Sequence, residues 1–210
     1  RMTSRRGEIP VLIVGAGPGG STAAYHLARH GLGVLMVEKA AFPREKVCGD
    51  GLTPRAVVQL RRLGIDTDDP RFERHGGLRI YSRRVTMELP WPDLDDFPPF
   101  GLMMTRSEFD ELLARHAEKA GARLMERTEA VAPIQDDGWV TGARIKGAED
   151  EAETTVRARF VIAADGSSSR FASRAGVRRD PAKPLGIAAR RYYKVERRPG
   201  PWLEVWMDLH

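Results

Sequence analysis

The sequence is poor in cysteine and has no long apolar stretch. Its single cysteine, Cys48, excludes an intrachain disulfide and a metal site built from several cysteines, which agrees with a reducing compartment. No segment approaches the roughly 18–20 consecutive apolar residues that a membrane-spanning helix needs. The first apolar run is also too short for the core of a signal peptide. We therefore expect a cytoplasmic protein, with peripheral attachment to a membrane as an open alternative.

The sequence also lacks a concentrated block of one charge. Its net charge of +5 comes mainly from arginine, and pairs such as Arg190-Arg191 are scattered and interleaved with acids. A nucleic-acid-binding surface usually concentrates basic charge on one face, so we expect a solvated basic surface and no nucleic-acid partner. His26 and His30 have the four-residue spacing of a zinc site, but the required glutamate is missing and no metal is predicted. Attraction to an anionic cofactor stays open.

A glycine-rich motif follows the first apolar segment. Residues 11–14 predict a strand, and residues 15–20 read Gly-Ala-Gly-Pro-Gly-Gly before a predicted helix. This order places unpaired backbone N–H groups and the positive end of a helix where a pyrophosphate can bind. Gly15 allows the tight turn, Gly17 lets a phosphate approach the backbone, and Gly20 lets helix and strand pack closely.

An acidic residue completes the motif. Glu38 ends a second short apolar run, near the position expected for a carboxylate that binds ribose hydroxyls. Pro18 suits the first helical turn, because the N–H that proline lacks has no partner there. The series predicts a site for the ADP half of a dinucleotide. It does not decide between NAD and FAD, although the acid disfavours a 2′-phosphate.

The remaining chain alternates between helical and strand patterns. Residues 53–64 and 105–121 predict amphipathic helices, whereas residues 78–89 predict an antiparallel hairpin. Residues 160–164 are uniformly apolar, as expected of a buried parallel strand. From Leu185 onward the pattern again indicates β-sheet, which is interrupted at His210.

These patterns predict an α/β fold with two interleaved domains. A Rossmann-like dinucleotide-binding domain is expected to comprise residues 1–74 and 104–182. A mostly antiparallel β domain for the substrate is expected to comprise residues 75–103 and 183–210.

One longer motif resembles a flavoprotein family. Residues 161–170 read Val-Ile-Ala-Ala-Asp-Gly-Ser-Ser-Ser-Arg and resemble the second flavin motif of the para-hydroxybenzoate hydroxylase fold. The resemblance implies that the turn Asp165-Gly166 lies by the ribityl chain of FAD. It also implies that Arg106 contacts the cofactor, with a surface position in the first helical turn as the alternative. Together with the glycine motif and Glu38, it indicates an FAD-binding domain of this type.

A second motif is more specific. Residues 48–55 read Cys-Gly-Asp-Gly-Leu-Thr-Pro-Arg and are similar to a run in the geranylgeranyl reductase family, including its actinobacterial menaquinone reductase branch. Proteins of this family are longer than this chain. The third flavin motif and the aromatic-proline motif of the substrate cavity are missing, so we expect a C-terminally truncated chain.

The resemblance implies a set of residues that bind FAD. The set comprises Gly15, Gly17, Pro18, Gly19, Gly20, Ser21, Glu38, Lys39, Arg44, Cys48, Gly49, Asp50, Gly51, Arg106, Val131, Asp165 and Gly166. Gly49 and Gly51 are expected to allow close approach of the backbone and positive φ values. Cys48 is the candidate catalytic residue, as a proton donor or substrate contact, and a small buried filler is the alternative. Asp50 either binds the cofactor or caps the following turn.

The function implied by the resemblance is saturation of isoprenoid C=C bonds by hydride transfer from reduced FAD. The substrate would carry a geranylgeranyl group or a menaquinone side chain, and NADPH or NADH would supply the electrons. An aromatic monooxygenase or a halogenase of the same fold is the first alternative. The halogenase motif Trp-x-Trp-x-Ile-Pro is not matched by residues 202–206, which read Trp-Leu-Glu-Val-Trp. A nonenzymatic nucleotide-binding module is an alternative of another class, and no oligomeric state is predicted.

Overall fold

The computed structural model describes residues 7–178, 180–184, 186–196 and 200–207. Within these residues the chain forms twelve strands and four helices. The strands are β1 (Ile9–Val14), β2 (Val34–Val37), β3 (Gly51–Leu52), β4 (Glu73–His75), β5 (Gly77–Ser82), β6 (Val85–Pro90), β7 (Gly101–Met103), β8 (Arg123–Met125), β9 (Thr128–Asp136), β10 (Trp139–Gly147), β11 (Thr154–Ala163) and β12 (Trp202–Trp206). The helices are α1 (Pro18–Arg29), α2 (Pro54–Arg62), α3 (Arg106–Lys119) and α4 (Arg170–Arg174).

The chain divides into two compact units. The first unit comprises Arg1–Glu45 and Ser107–Gly186, and the second comprises Lys46–Arg106 and Ile187–His210. The sequence-based division placed its boundaries after residues 74, 103 and 182, whereas the units change after residues 45, 106 and 186. The largest difference concerns α2, because this helix packs against β3 and β7 of the second unit.

A six-stranded mixed sheet forms the centre of the first unit, in the order β8-β2-β1-β11-β10-β9. β1 is parallel to both of its neighbours, while β10 is antiparallel to β11 and β9. Successive strand residues point to opposite faces. Val11 and Ile13 therefore pack with residues of α1 and α3, whereas Leu12 and Val14 pack with residues of β10 and α4. This two-sided burial fixes the end of β1, where the glycine motif begins.

The second unit contains two three-stranded sheets, in the orders β12-β5-β6 and β3-β7-β4. The predicted hairpin is confirmed, since β5 and β6 are antiparallel with Leu78 opposite Leu89. β12 joins β5 in parallel, so this part of the fold is not wholly antiparallel. The predicted helix after Thr53 is also confirmed as α2, and Gly64 follows it with a φ of +77°.

Two expectations about strands are corrected by the structure. β11 is parallel to β1 as predicted, but Phe160 on it is 59% exposed. β10 pairs with residues 154–157 of β11, and within the described residues the second half of β11 has β1 as its strand neighbour. Residues 186–196 form no helix or strand, and regular structure resumes at β12. Leu185 and His210 lie outside the described residues.

The described residues contain neither a membrane-spanning helix nor a cluster of metal-ligating side chains. None of their helices combines the length and the apolar composition needed to cross a membrane. In the same part of the chain, no three His, Cys, Asp or Glu side chains are grouped as a metal site would require.

Candidate cofactor and substrate sites

The glycine motif forms a tight turn between β1 and α1. Gly15 has a φ of +94°, and a Cβ atom there would lie 2.6 Å from the carbonyl oxygen of Ala164. A Cβ atom on Gly20 would overlap the carbonyl oxygen of Gly15, so helix and strand meet backbone to backbone. Gly17 precedes Pro18, which begins the helix, and Gly19 faces open space. The turn therefore leaves backbone N–H groups at a helix N-terminus accessible to an anion.

Glu38 lies directly against this turn. Its side chain is buried, and Oε2 accepts a hydrogen bond of 3.0 Å from the N–H of Ala16. Oε1 accepts a second hydrogen bond of 3.2 Å from the N–H of Ala40. Two backbone donors thus hold the carboxylate at the carboxyl end of β2, where its free lone pairs can accept hydrogen bonds from ribose hydroxyls.

Arg44 bridges two buried carboxylates in the first unit. Its Nη2 atom lies 3.4 Å from Oε2 of Glu38, and its Nη1 atom lies 3.1 Å from Oδ2 of Asp110. Asp110 is completely buried, and the guanidinium also lies over the ring of Phe42, 5.2 Å from its centroid. Nη2 is 3.6 Å from the place that a Cβ atom of Gly17 would occupy. Arg44 therefore brings a positive charge to the edge of the glycine turn.

Asp110 was missed by the sequence reasoning, although a signal was present. It lies on α3 three, four and seven residues before Leu113, Ala114 and Ala117, all of which are buried. Residues at these spacings share one face of a helix. A carboxylate on the apolar face needs a cationic or hydrogen-bonding partner, and Arg44 is that partner here.

The turn Asp165-Gly166 meets the glycine motif through its backbone. The Cα atom of Asp165 would be 2.8 Å from a Cβ atom on Gly15, and Gly166 has a φ of +97°. The Asp165 carboxylate is engaged with the start of α4: it accepts hydrogen bonds from the hydroxyl of Ser169 and from the N–H of Phe171. The predicted contact of this turn with the ribityl chain would therefore use its backbone.

Three other residues of the predicted FAD-binding set differ in burial and in hydrogen bonding. Ser21 is fully buried, and its hydroxyl donates a 3.0 Å hydrogen bond to the carbonyl of Ala16 inside the glycine turn. Lys39 is exposed beside Glu38. The carbonyl of Val131 on β9 accepts a hydrogen bond from Arg174.

The Cys48 turn lies in the second unit, beside a cavity of about 540 Å³. The thiol residue is exposed, which rules out the alternative of a buried filler. The cavity wall includes Val47, Cys48, Gly51, Met103, Arg190 and Leu203. Neither Gly49 nor Gly51 has a positive φ, so the turn does not use that part of the freedom that glycine gives. A Cβ atom on Gly51 would lie 2.9 Å from Cδ1 of Leu203, so Gly51 and the end of this side chain are in close contact.

Asp50 ties the turn to the segment that leads into α3. Its carbonyl accepts a 3.2 Å hydrogen bond from the N–H of Met104, and Oδ1 accepts a 3.0 Å hydrogen bond from the N–H of Arg106. Arg106 itself is buried, so the alternative of a surface position in the first turn is wrong. The carboxylate of Asp50 thus caps a distant segment rather than the turn that follows it.

Arg190 is a second residue that sequence reasoning missed, because it was assigned to the solvated basic surface. Only 15% of its side chain is exposed, and Nη1 lies 3.2 Å from Oδ1 of Asp50. The same nitrogen lies 3.4 Å from the carbonyl oxygen of Cys48. No local pattern could reveal this contact, since 140 residues separate Arg190 from Asp50.

A buried histidine supports the end of this turn. His75 on β4 lies with Nε2 3.3 Å from the carbonyl of Leu52, while Nε1 of Trp91 lies 3.3 Å from Nδ1. Because Trp91 can only donate, Nδ1 accepts and Nε2 donates. Burial lowers the pKa of His75 below its usual 6.5, which agrees with the neutral ring that these two hydrogen bonds require.

The first unit fits the ADP half of a dinucleotide. The glycine turn leaves open space at Gly19, and Glu38 offers a carboxylate. Nε of Arg44 is a buried atom that makes no hydrogen bond within the described part of the chain. A buried N–H donor that makes no hydrogen bond and lies next to an anion-binding turn is consistent with a phosphate partner. The fold and the site define a dinucleotide-binding domain.

Comparison with known proteins identifies the dinucleotide. Residues 8–192 match the family model described as FAD binding domain. The chain belongs to this family, and FAD is its cofactor.

Three relatives show where the chain stands within this family. It is 38% identical over 199 residues to menaquinone reductase of Mycobacterium tuberculosis, covering 95% of this chain and 48% of the relative. It is 36% identical to a geranylgeranyl bacteriochlorophyll reductase-like protein from Thermoplasma acidophilum, whose crystal structure it matches with a TM-score of 0.70. That match covers 80% of this chain and 42% of the other chain. The structure of a myxobacterial chondrochloren halogenase matches with a TM-score of 0.72 at 28% identity, and the match covers 79% of this chain and 39% of the halogenase. The chain therefore spans about half the length of the reductases that it resembles.

Proposed function

We propose that this chain is the FAD-binding part of a reductase that saturates C=C bonds in the isoprenoid chain of a quinone or lipid. The observation that carries the proposal is the Cys48 turn, whose sequence is similar to the geranylgeranyl reductase motif and which borders a cavity with apolar walls. Val47, Met103 and Leu203 supply those walls. An apolar cavity suits an isoprenoid chain, which offers no hydrogen-bonding groups.

The chain's own residues would hold FAD and shape the reaction site. The glycine turn and Arg44 would bind the pyrophosphate, Glu38 the ribose, and the Asp165-Gly166 backbone the ribityl chain. When bound, FAD supplies hydride chemistry, with NADPH or NADH as the proposed source of electrons. An isolated alkene accepts hydride poorly, so the reaction needs exclusion of water and a nearby acid. We assign the acid to the thiol of Cys48, which is part of the cavity wall.

Identity among the relatives supports a reductase over an oxygen-using enzyme. The two reductases match at 38% and 36% identity, whereas the halogenase matches at 28%. The substrate's apolar tail would also bring the protein to a membrane surface from the cytoplasm, and this peripheral association is part of the proposal.

The test is anaerobic turnover by the purified protein with bound FAD. The protein is incubated with NADPH, NADH or dithionite and with menaquinone or a geranylgeranyl lipid, and the products are analysed by mass spectrometry. The proposal predicts a mass increase of one H₂ for each saturated bond, and bleaching of the flavin absorbance identifies the nicotinamide that is used. Binding to anionic lipid vesicles, measured by sedimentation, tests the membrane association.

A second candidate is an aromatic monooxygenase or halogenase, because the halogenase has the higher TM-score of the two structures compared. Its signature would be oxygen-dependent addition of an oxygen atom, or of a halogen when halide is present, to an aromatic substrate. Such a product, without any saturation of the isoprenoid lipids, would overturn the reductase proposal. A nonenzymatic module would be favoured if the protein binds FAD tightly, neither NADPH nor NADH reduces the bound flavin, and no substrate is converted.

A further inference from the structure

Arg190 holds two residues of the Cys48 turn with one nitrogen atom. Its Nη1 donates to the carbonyl of Cys48 at 3.4 Å and to Oδ1 of Asp50 at 3.2 Å. The guanidinium also lies over the ring of Tyr192, 4.6 Å from its centroid. Both partners of the ion pair are largely shielded from solvent, with exposed fractions of 15% for the Arg190 side chain and 18% for that of Asp50. An ion pair with this degree of burial is less screened than a surface pair.

The turn needs such a tether because its own backbone provides little order. Cys48 is exposed, and a Cβ atom on Gly49 would meet nothing within 4 Å. Glycine loses more conformational freedom on ordering than other residues, so a glycine-rich exposed turn is costly to fix. Asp50 is bound from one direction by the N–H groups of Met104 and Arg106. Arg190 supplies contacts from a separate segment of the chain.

The ion pair also sets the charge of the cavity wall. Arg190 and Asp50 are both wall residues and compensate one another, so together they add no net charge beside Met103 and Leu203. A cavity that accepts an apolar chain tolerates a paired charge better than an isolated one.

We propose that Arg190 is a positioning residue that fixes the Cys48 turn and thereby the direction in which the Cys48 thiol faces the cavity. The effect of Arg190 on turnover rests on the proposed reductase function. The effect of Arg190 on the Cys48 turn is independent of that function and can be measured without substrate or reductant.

Alkylation is read at Cys48 itself by peptide mass spectrometry, and Cys48 is the single cysteine of this sequence. The rate of alkylation by N-ethylmaleimide is measured for Arg190→Gln and for Arg191→Gln, a matched control that removes the same charge from the exposed neighbouring residue. Arg190→Gln is expected to raise the rate about two- to tenfold, the range for loss of one hydrogen bond. Arg191→Gln is expected to leave it unchanged, and Arg190→Lys, which keeps a cationic donor, to recover most of the wild-type rate.

A double-mutant cycle separates positioning from general loosening of the fold. Asp50→Asn should raise the alkylation rate by itself, and adding Arg190→Gln should then have less effect than it has alone. Equal rates for Arg190→Gln and Arg191→Gln would overturn the inference, as would fully additive effects in the cycle. If Arg190→Gln does not fold, Asp50→Asn carries the test, because it removes the other partner of the ion pair. An alkylation rate equal to that of the wild type would then also overturn the inference. If the alkylation rates follow these expectations but the protein does not reduce an isoprenoid substrate, the result counts against the proposed reductase function alone.

Discussion

Replacing Arg44 by methionine should destabilise the protein strongly. Arg44 is the cation between Glu38 and Asp110, which are 5% and 0% exposed. Methionine keeps an apolar stem against Phe42 but removes the charge. Breaking a buried ion pair by removal of one partner costs about 3–5 kcal/mol, because buried charge loses its compensation.

Urea unfolding followed by far-UV circular dichroism measures this loss. With a slope of about 2 kcal/mol/M, a cost of 3–5 kcal/mol lowers the unfolding midpoint by about 1.5–2.5 M. Arg115→Met is the matched control in the same unit, because Arg115 also lies near the Phe42 ring but is 40% exposed. Arg115 pairs with the partly exposed carboxylates of Glu111, Glu118 and Glu126. Each such pair is worth about 0.2–0.5 kcal/mol, so the midpoint of this control should fall by less than about 1 M.

The reasoning is refuted if Arg44→Met unfolds within about 1 kcal/mol of the wild type, or at the same midpoint as Arg115→Met. If Arg44→Met does not fold, Arg44→Lys provides the measurement. Lysine keeps the charge but cannot span both carboxylates with a planar fork, so a loss between those of the two methionine variants is expected.

Three further predictions concern the glycine turn, the buried histidine and the thiol. Gly20→Ala should abolish FAD binding, measured by flavin fluorescence, because its Cβ would overlap the carbonyl of Gly15. Gly186→Ala, at a position where a Cβ atom would meet nothing within 4 Å, should bind FAD like the wild type; normal binding by both variants would contradict the close packing of strand and helix. The pKa of His75 is lower in the folded state than the usual 6.5, so the unfolded state binds more protons and the free energy of unfolding should fall as the pH drops below about 6.5, by at most about 1.4 kcal/mol per pH unit. His75→Gln should flatten this dependence, and an unchanged pH profile in that variant would show that other groups cause it. Cys48→Ala should retain FAD affinity but slow substrate reduction, and an unchanged turnover rate would exclude the thiol as the acid.

The elements closest to the glycine motif could be predicted well from sequence. The turn at Gly15, the start of α1 at Pro18 and the acid at Glu38 all follow from patterns within about thirty residues. The hairpin of β5 and β6 and the helix α2 were also predicted correctly, because each is a local pattern of alternation or helical spacing.

Other features depended on partners that a local pattern cannot show. Residues 160–164 read as a buried strand, yet Phe160 is 59% exposed. The exposed fraction of a strand side chain depends on what packs against its face of the sheet, and the residues of the strand itself do not show that. The freedom that glycine gives at Gly49 and Gly51 is not used for a positive φ at either position, and the close contact of Gly51 with Leu203 comes from a distant segment that a local pattern cannot show.

The sequence by itself determined the cofactor cradle, because a left-handed φ at Gly15, a helix that begins at Pro18 and a carboxylate at Glu38 are written in a short stretch of chain. Only the tertiary structure decided which charges stand around it. Asp110 reaches Arg44 from α3, and Arg190 reaches Asp50 across 140 residues. Ion pairs of this kind have no spacing rule, because Coulomb attraction depends on distance in space and on burial, and the folded backbone sets both.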